Sequence, residues 1–261
     1  MPSLELVRSA VRQLPTLARS REPTEPTGCG LSFTAPGGPV VVVAGLHGGA
    51  GTSTLAYALA AQAAQESPAP ILLAEADQVS GDIAHITGTA SPLSLGELAL
   101  ELAAGRQPQG GTQVGRLRVI ARPPSVTPHV SMEAVVETVR MAQGLHGLIV
   151  IDAGTVRSPG ARELMLAATH VLWVMTSGPG VADRARSVLA SGMIPTLTAE
   201  KALVVRGGPK RGRAVRELCQ LAGDCCDTLL MIGDSPGING HVDLGERRVV
   251  SALTGLGGFL N

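Results

Sequence analysis

Residues Val40–Ala60 read VVVVAGLHGGAGTSTLAYALA: a run of valines, a turn holding Gly48, Gly49 and Gly51, and an alanine-rich stretch opened by Thr52, Ser53 and Thr54. The valine run has the β-branched character of a buried strand, and the alanine-rich stretch that of a helix. Glycines between the two reach backbone conformations closed to residues with a Cβ, so consecutive N–H groups can converge on one point. Those groups, with the positive end of the following helix behind them, suit an anion. Strand, glycine turn and helix in this order predict the opening βα unit of a parallel sheet.

A turn that grips phosphate in this way usually ends in G-K-[ST], the lysine reaching the β- and γ-oxygens and the hydroxyl meeting magnesium. Ser53 keeps the hydroxyl, but Thr52 occupies the place of the lysine, and the first lysine in the chain is Lys201. A charge-assisted contact contributes about 1.5–3 kcal/mol, so its loss weakens phosphate binding by roughly 10- to 100-fold. The Thr52 hydroxyl offers one hydrogen bond and no charge. Phosphoryl transfer suffers more than binding, because it depends on positive charge positioned in the transition state. The segment His47, Gly48, Gly49, Ala50, Gly51, Thr52, Ser53 and Thr54 is therefore expected to hold ATP or ADP with magnesium only weakly, with weak or absent hydrolysis.

Beyond this turn, apolar strands alternate with helices. Strands are expected at 40–44, 71–74, 117–121, 148–151, 171–175, 202–205 and 228–232. Helices are expected at 53–65, 95–104, 132–143, 161–168, 181–191, 213–222 and 247–253. Continuous apolar strands without strict alternation fit burial on both faces. The fold class is thus α/β, a doubly wound and mostly parallel sheet of about seven strands. Two of these strands end in acids: Ile71–Ala74 runs into Glu75-Ala76-Asp77, and Leu148–Ile151 into Asp152. Ligands of doubly wound sheets sit beyond the carboxyl ends of the strands, so these carboxylates can face the turn. Ser53 and Asp152 would suit magnesium, which keeps several waters beside one or two carboxylates.

Composition narrows the classes. Aromatic residues make up 2% of the 261, so base stacking, a main route to single-stranded nucleic acid, is poorly supplied. A formal net charge of zero gives no overall pull toward DNA or an anionic membrane. Cys29, Cys219, Cys225 and Cys226 form no CxxC pair and are read as reduced thiols of a cytoplasmic protein rather than a zinc site or disulfide framework. The first residues lack a secretory apolar region, and no apolar run has the length of a membrane span.

HGGAGTST, LLAEADQVSGD and LIVID, in this order, resemble the deviant Walker A ATPases of the MinD/ParA group, whose loop reads K-G-G-x-G-K-[ST]-[ST]. The likeness covers roughly residues 39–245 and is greatest to the divergent branch of TadZ/CpaE-like pilus-localisation proteins and actinobacterial septum-site-determining-like proteins, where loops lacking lysine occur. By position, the resemblance implies that His47 replaces the signature lysine that crosses a nucleotide-sandwich homodimer, and Thr52 the phosphate lysine. Ser53 matches the magnesium ligand, Glu75 and Asp77 the D-x-D pair, and Asp152 the Walker B acid, so the resemblance implies Asp77 and Asp152 as the catalytic acids of any hydrolysis. The asparagine that helps read adenine is absent from Val204-Val205-Arg206-Gly207. The implied function is a degenerate positioning or scaffold factor that recruits a protein partner of a pilus, secretion or division apparatus. An active ATPase for DNA partitioning or a mobile element, and a nucleotide-independent interaction or DNA-binding protein, are the alternatives. Arg157 or Arg184 could restore phosphate charge from elsewhere in the chain.

The flanks complete the reading. Residues 3–19 suit a short amphipathic helix and 20–38 a Pro/Gly-rich linker with room for a short strand at Leu31–Thr34, so 1–38 is read as a helix and linker and 39–261 as the P-loop domain. Parts of region 105–115 are expected as an exposed loop. Lys210, Arg211, Arg213 and Arg216, with Arg206 before them, form the densest basic patch; it could contact DNA but is read as a solvated helix start. The tail after Leu253 carries Gly255, Gly257 and Gly258, which are expected to break its helix, and a thin basic face, so membrane binding is not expected.

Overall fold

The computed structural model describes residues 28–76, 82–108, 110–121, 131–178, 180–192, 194–207, 213–233 and 247–260. The expected helix at 3–19, together with Asp77, Lys210 and Arg211, lies outside the described residues. In chain order the elements are β1 (Val40–Gly45), α1 (Thr52–Glu66), β2 (Ile71–Glu75), α2 (Ile83–Thr87), α3 (Leu95–Ala103), β3 (Thr112–Val114), β4 (Leu117–Ile120) and α4 (Met132–Gln143). There follow β5 (Leu148–Thr155), α5 (Ala161–Ala167), β6 (His170–Thr176), α6 (Val181–Leu189), β7 (Glu200–Arg206), α7 (Arg213–Cys225), β8 (Thr228–Ile232) and α8 (Arg247–Leu260).

The strands form one eight-stranded sheet in the order β3-β4-β2-β5-β1-β6-β7-β8. All pairings are parallel except that of β3 with β4. The doubly wound, mostly parallel α/β expectation holds, and the extra strand is β3. It lies within 105–115, parts of which were expected as loop: Thr112, Gln113 and Val114 pair back on Val119, Arg118 and Leu117 across a turn at Gly115. Three residues on a sheet edge carry too little apolar pattern to be read from sequence.

Period-two alternation divides the core. Val40, Val42 and Ala44 face one side, where α3, α4, α5, α6 and α7 pack. Val41 and Val43 face the other, covered by α1, α2 and α8. Helix α1 buries Ala56, Ala60, Ala63 and Ala64 against the sheet, and their small side chains let it lie close to β5 and β1.

Residues 28–38 are more than a connection. Cys29, Leu31 and Phe33 are buried in the α1-side core. Glu66, in the last turn of α1, accepts the backbone N–H groups of Cys29 (2.6 Å) and Leu31 (3.0 Å). Leu31–Thr34 joins no ladder; the Ser67 hydroxyl and the Ala69 N–H tie it down instead. The expected break of the tail helix is also corrected, since α8 runs on through its glycines to Leu260. At Gly257 an added Cβ would collide with the carbonyl of Cys29, so a residue of poor helix propensity is what close approach of the 28–33 segment requires. Leu253, Leu256 and Leu260 bury the apolar side of α8 in the core. Among the described residues no helix is long and apolar enough to cross a membrane.

Two imidazoles, buried His146 and half-buried His170, make stability depend on pH. Burial, chiefly, pushes His146 below its ordinary value, with nearby Arg118 acting in the same direction and the hydrogen bond to the Ala142 carbonyl (2.8 Å) opposing it. Burial likewise lowers His170, against the opposing charge of Glu200. Between the lowered folded values and the ordinary 6.5, the unfolded chain binds protons that the native state does not. Stability is therefore full above that range and declines as pH falls through it. Urea midpoints measured from about pH 7.5 down to about pH 5.5 should fall, and His146→Gln should flatten the decline. A midpoint independent of pH over that interval would contradict the lowering of both rings.

Candidate functional site

Strand β1 is central, with β5 on one side and β6 on the other, and the chain winds outward from it in both directions. The crevice beyond the carboxyl end of such a strand is where doubly wound folds place ligands. The turn leaving β1 is held from both flanks: Leu46 N–H donates to Val174 O (2.9 Å), and Val156 N–H donates to Gly45 O (3.0 Å). Gly48 and Gly49 form its exposed side, and no atom lies within 4 Å of a Cβ built on either. Ala50 is buried beneath. Gly51, at φ +92°, turns the chain into α1, whose start has no side-chain cap. A residue with a Cβ is strained at that angle, which explains this glycine on backbone grounds alone.

The side chains of the turn separate. Thr52 is 7% exposed, and its Oγ1 lies 2.7 Å from where a Cβ on Gly45 would stand, so the hydroxyl packs against the end of β1. Ser53 and Thr54 are half-buried at the start of α1. His47 is engaged within its own chain. The Thr176 N–H donates to its Nε2 (3.2 Å), which leaves the proton on Nδ1 to be donated to the Gly48 carbonyl (2.9 Å). Backbone N–H groups only donate, so this tautomer follows from the partners.

Two of the acids lie side by side. Glu75 and Asp152 are paired neighbours on β2 and β5, and Asp152 is also opposite Val43 of β1. Leu73, Val150 and Val43 all face α1, so two-residue periodicity puts both carboxylates on the face where Ser53 begins its helix. Both are buried, at 3% and 1% exposed. Glu75 accepts the N–H of Ile83 (2.9 Å), the first residue of α2, and so anchors that helix. Asp152 accepts the N–H of Gly154 (3.0 Å). A hydroxyl and a carboxylate on one face are the hard oxygen donors magnesium takes, so Ser53 and Asp152 fit that ion chemically. Among the described residues no group of three or more His, Cys, Asp and Glu could hold a metal through protein ligands alone.

The arginine at the turn is not one of those singled out for phosphate. Arg157 and Arg184 are exposed, and neither is among the nearest atoms to a Cβ built on Gly48, Gly49 or Gly51. Arg206, the last residue of β7, reaches over Gly51 instead: its guanidinium carbon is 3.1 Å from the position of a Cβ there. In sequence it reads as the first member of a basic patch; in space it lies against Gly51, while Arg216 is exposed on α7. Two-residue periodicity carries the signal, since Val204 faces α1 and Arg206 follows it by two. Seeing it required knowing that β7 lies two strands from β1. An open groove of about 740 Å³ between α4 and α5, lined by Met132, Val136, Glu163 and Leu166 among others, contains no residue of the turn.

No protein-family model matches the chain, and no curated protein matches it in sequence. Solved structures do match its fold. A ParA family ATPase from Chlorobium tepidum superposes with a TM-score of 0.69 at 14% identity, covering 86% of this chain and 99% of that one. A McdA variant from Cyanothece in complex with ATP gives 0.67 at 14% identity, covering 87% and 98%. A MinC:MinD cell division complex from Aquifex aeolicus gives 0.65 at 17% identity, covering 84% and 96%. The architecture is thus that of the MinD/ParA P-loop NTPases, and at these identities the likeness is one of fold.

Proposed function

We propose that this chain is a degenerate P-loop protein of the MinD/ParA type, related to its TadZ/CpaE-like branch. It would position or scaffold a pilus, secretion or division machine, binding ATP or ADP with little or no hydrolysis. The observation that carries this reading is Thr52, an uncharged residue in the place of the phosphate lysine, packed against Gly45 under an otherwise open glycine turn. The cradle remains and its usual cation is gone. Ser53 and Asp152 would hold magnesium, which when bound would offset phosphate charge. Backbone N–H groups of the turn and the start of α1 would orient the phosphates. Transition-state charge would lack the lysine that normally stabilises it, so turnover falls further than binding does.

His47 supports the same reading from the side of assembly. Its ring is hydrogen-bonded to Gly48 and Thr176, and a short imidazole so engaged does not reach a second subunit as a lysine would. A homodimer of this chain would then form without that crossing cation. The expected partner is a protein of the machine being positioned, because the MinD neighbour is itself found in complex with MinC.

Purified protein is expected to release phosphate from ATP no faster than buffer with magnesium, while ADP or ATP at millimolar concentration raises its thermal midpoint by a few degrees at most. Brisk magnesium-dependent hydrolysis, abolished in Asp152→Ala, would show a working ATPase and end this reading.

A further inference from the structure

We propose that Arg206 has taken over the task of the missing lysine: delivered from the end of β7, its guanidinium supplies the positive charge that holds a polyphosphate at the glycine turn. Arg206 can have that task only if the turn binds a nucleotide, as proposed above.

Three observations lead there. The guanidinium carbon stands 3.1 Å and Nε 3.5 Å from a Cβ position on Gly51, with a terminal nitrogen nearer still, so the charged group lies on the backbone that would wrap the phosphates. Among the described residues the guanidinium makes no ion pair; the cations paired there are Arg106, Arg140, Arg186 and Lys201. Its mount is also rigid. Arg206 pairs with Thr176 on β6 and Ile232 on β8, and its carbonyl accepts the N–H of Ser177 (2.8 Å).

The flanks of the turn then have opposite charge. Glu75 and Asp152 lie on the β2/β5 side and Arg206 on the β7 side, with β1 and β6 between them. The carboxylates are thus kept apart from the guanidinium, and a magnesium-bound polyphosphate would meet the ion on one flank and the arginine on the other. A planar guanidinium can also grip two phosphate oxygens at once, where lysine is a single point charge.

The test is titration calorimetry with MgADP and with magnesium pyrophosphate on wild type, Arg206→Ala, Arg206→Lys, Thr52→Lys and the double variant Arg206→Ala/Thr52→Lys. Thermal unfolding without ligand checks that each is folded. Arg206→Ala should lose about 10- to 100-fold in affinity for both ligands, Arg206→Lys should lose less, and the double variant should regain most of the loss. Unchanged or tighter binding by Arg206→Ala overturns the assignment. So does a loss confined to ADP, because that would put the guanidinium on the nucleoside. If wild type is silent and Thr52→Lys binds, Arg206 is no anchor, yet the nucleotide reading of the turn stands. If both are silent, both fall.

Discussion

Thr52→Lys is expected to bind MgADP at least about tenfold more tightly than wild type. The turn has its glycines, its open side at Gly48 and Gly49, and the uncapped start of α1 at the carboxyl end of a central strand. What position 52 lacks is charge. Because Thr52 is packed against Gly45, a longer side chain must leave that contact and run out over the turn, at some cost in stability. Thr52→Met separates bulk from charge, since its stem is similar and its end neutral. Calorimetry should find lysine tighter than wild type and methionine no tighter. Equal affinities for the two would mean that the turn no longer presents its N–H groups to an anion.

The second large effect concerns folding. Gly257→Ala should destabilise the chain by about 1–3 kcal/mol, because the new methyl would stand inside contact distance of the Cys29 carbonyl and 3.1 Å from the carbonyl of Gly30. Either α8 lifts from the sheet or the 28–33 segment moves, and the latter is pinned by Glu66. In a bare helix the same substitution would stabilise by about 1 kcal/mol. Gly258→Ala provides that comparison, since Gly258 is exposed and nothing lies within 4 Å of its Cβ position. It should be neutral or slightly stabilising. Urea unfolding of the two single variants checks the prediction; similar midpoints would mean that the N-terminal segment does not pack on α8.

Glycine thus has opposite meanings at two places in this chain. At Gly51 it permits a backbone angle, and the strand-turn-helix context made that legible from the letters alone. At Gly257 it permits a contact with residues more than two hundred positions away, and its local signature is indistinguishable from a helix breaker. The same asymmetry runs through the candidate site. Asp152 and Glu75 were legible because each directly follows a strongly apolar strand, and neighbouring parallel strands bring their ends together. Arg206 directly follows such a strand too, but its partner is the turn after β1, and only the order β1-β6-β7 makes them neighbours. His47 was legible as a departure from the family pattern, while its engagement with Thr176 was not.

Local chemistry, then, was enough for the α/β class, the positions of most strands and helices, the glycine turn and the absence of its lysine. These depend on apolar periodicity and on residue types within a few positions of one another. Tertiary structure was needed for the edge hairpin at β3, the packed segment at 28–33, the unbroken α8 and the arginine over Gly51. All but the hairpin are fixed by burial and contact between segments far apart in sequence, and such energies leave no periodic trace in either segment alone; the hairpin is local, but its first strand is too short to show a period.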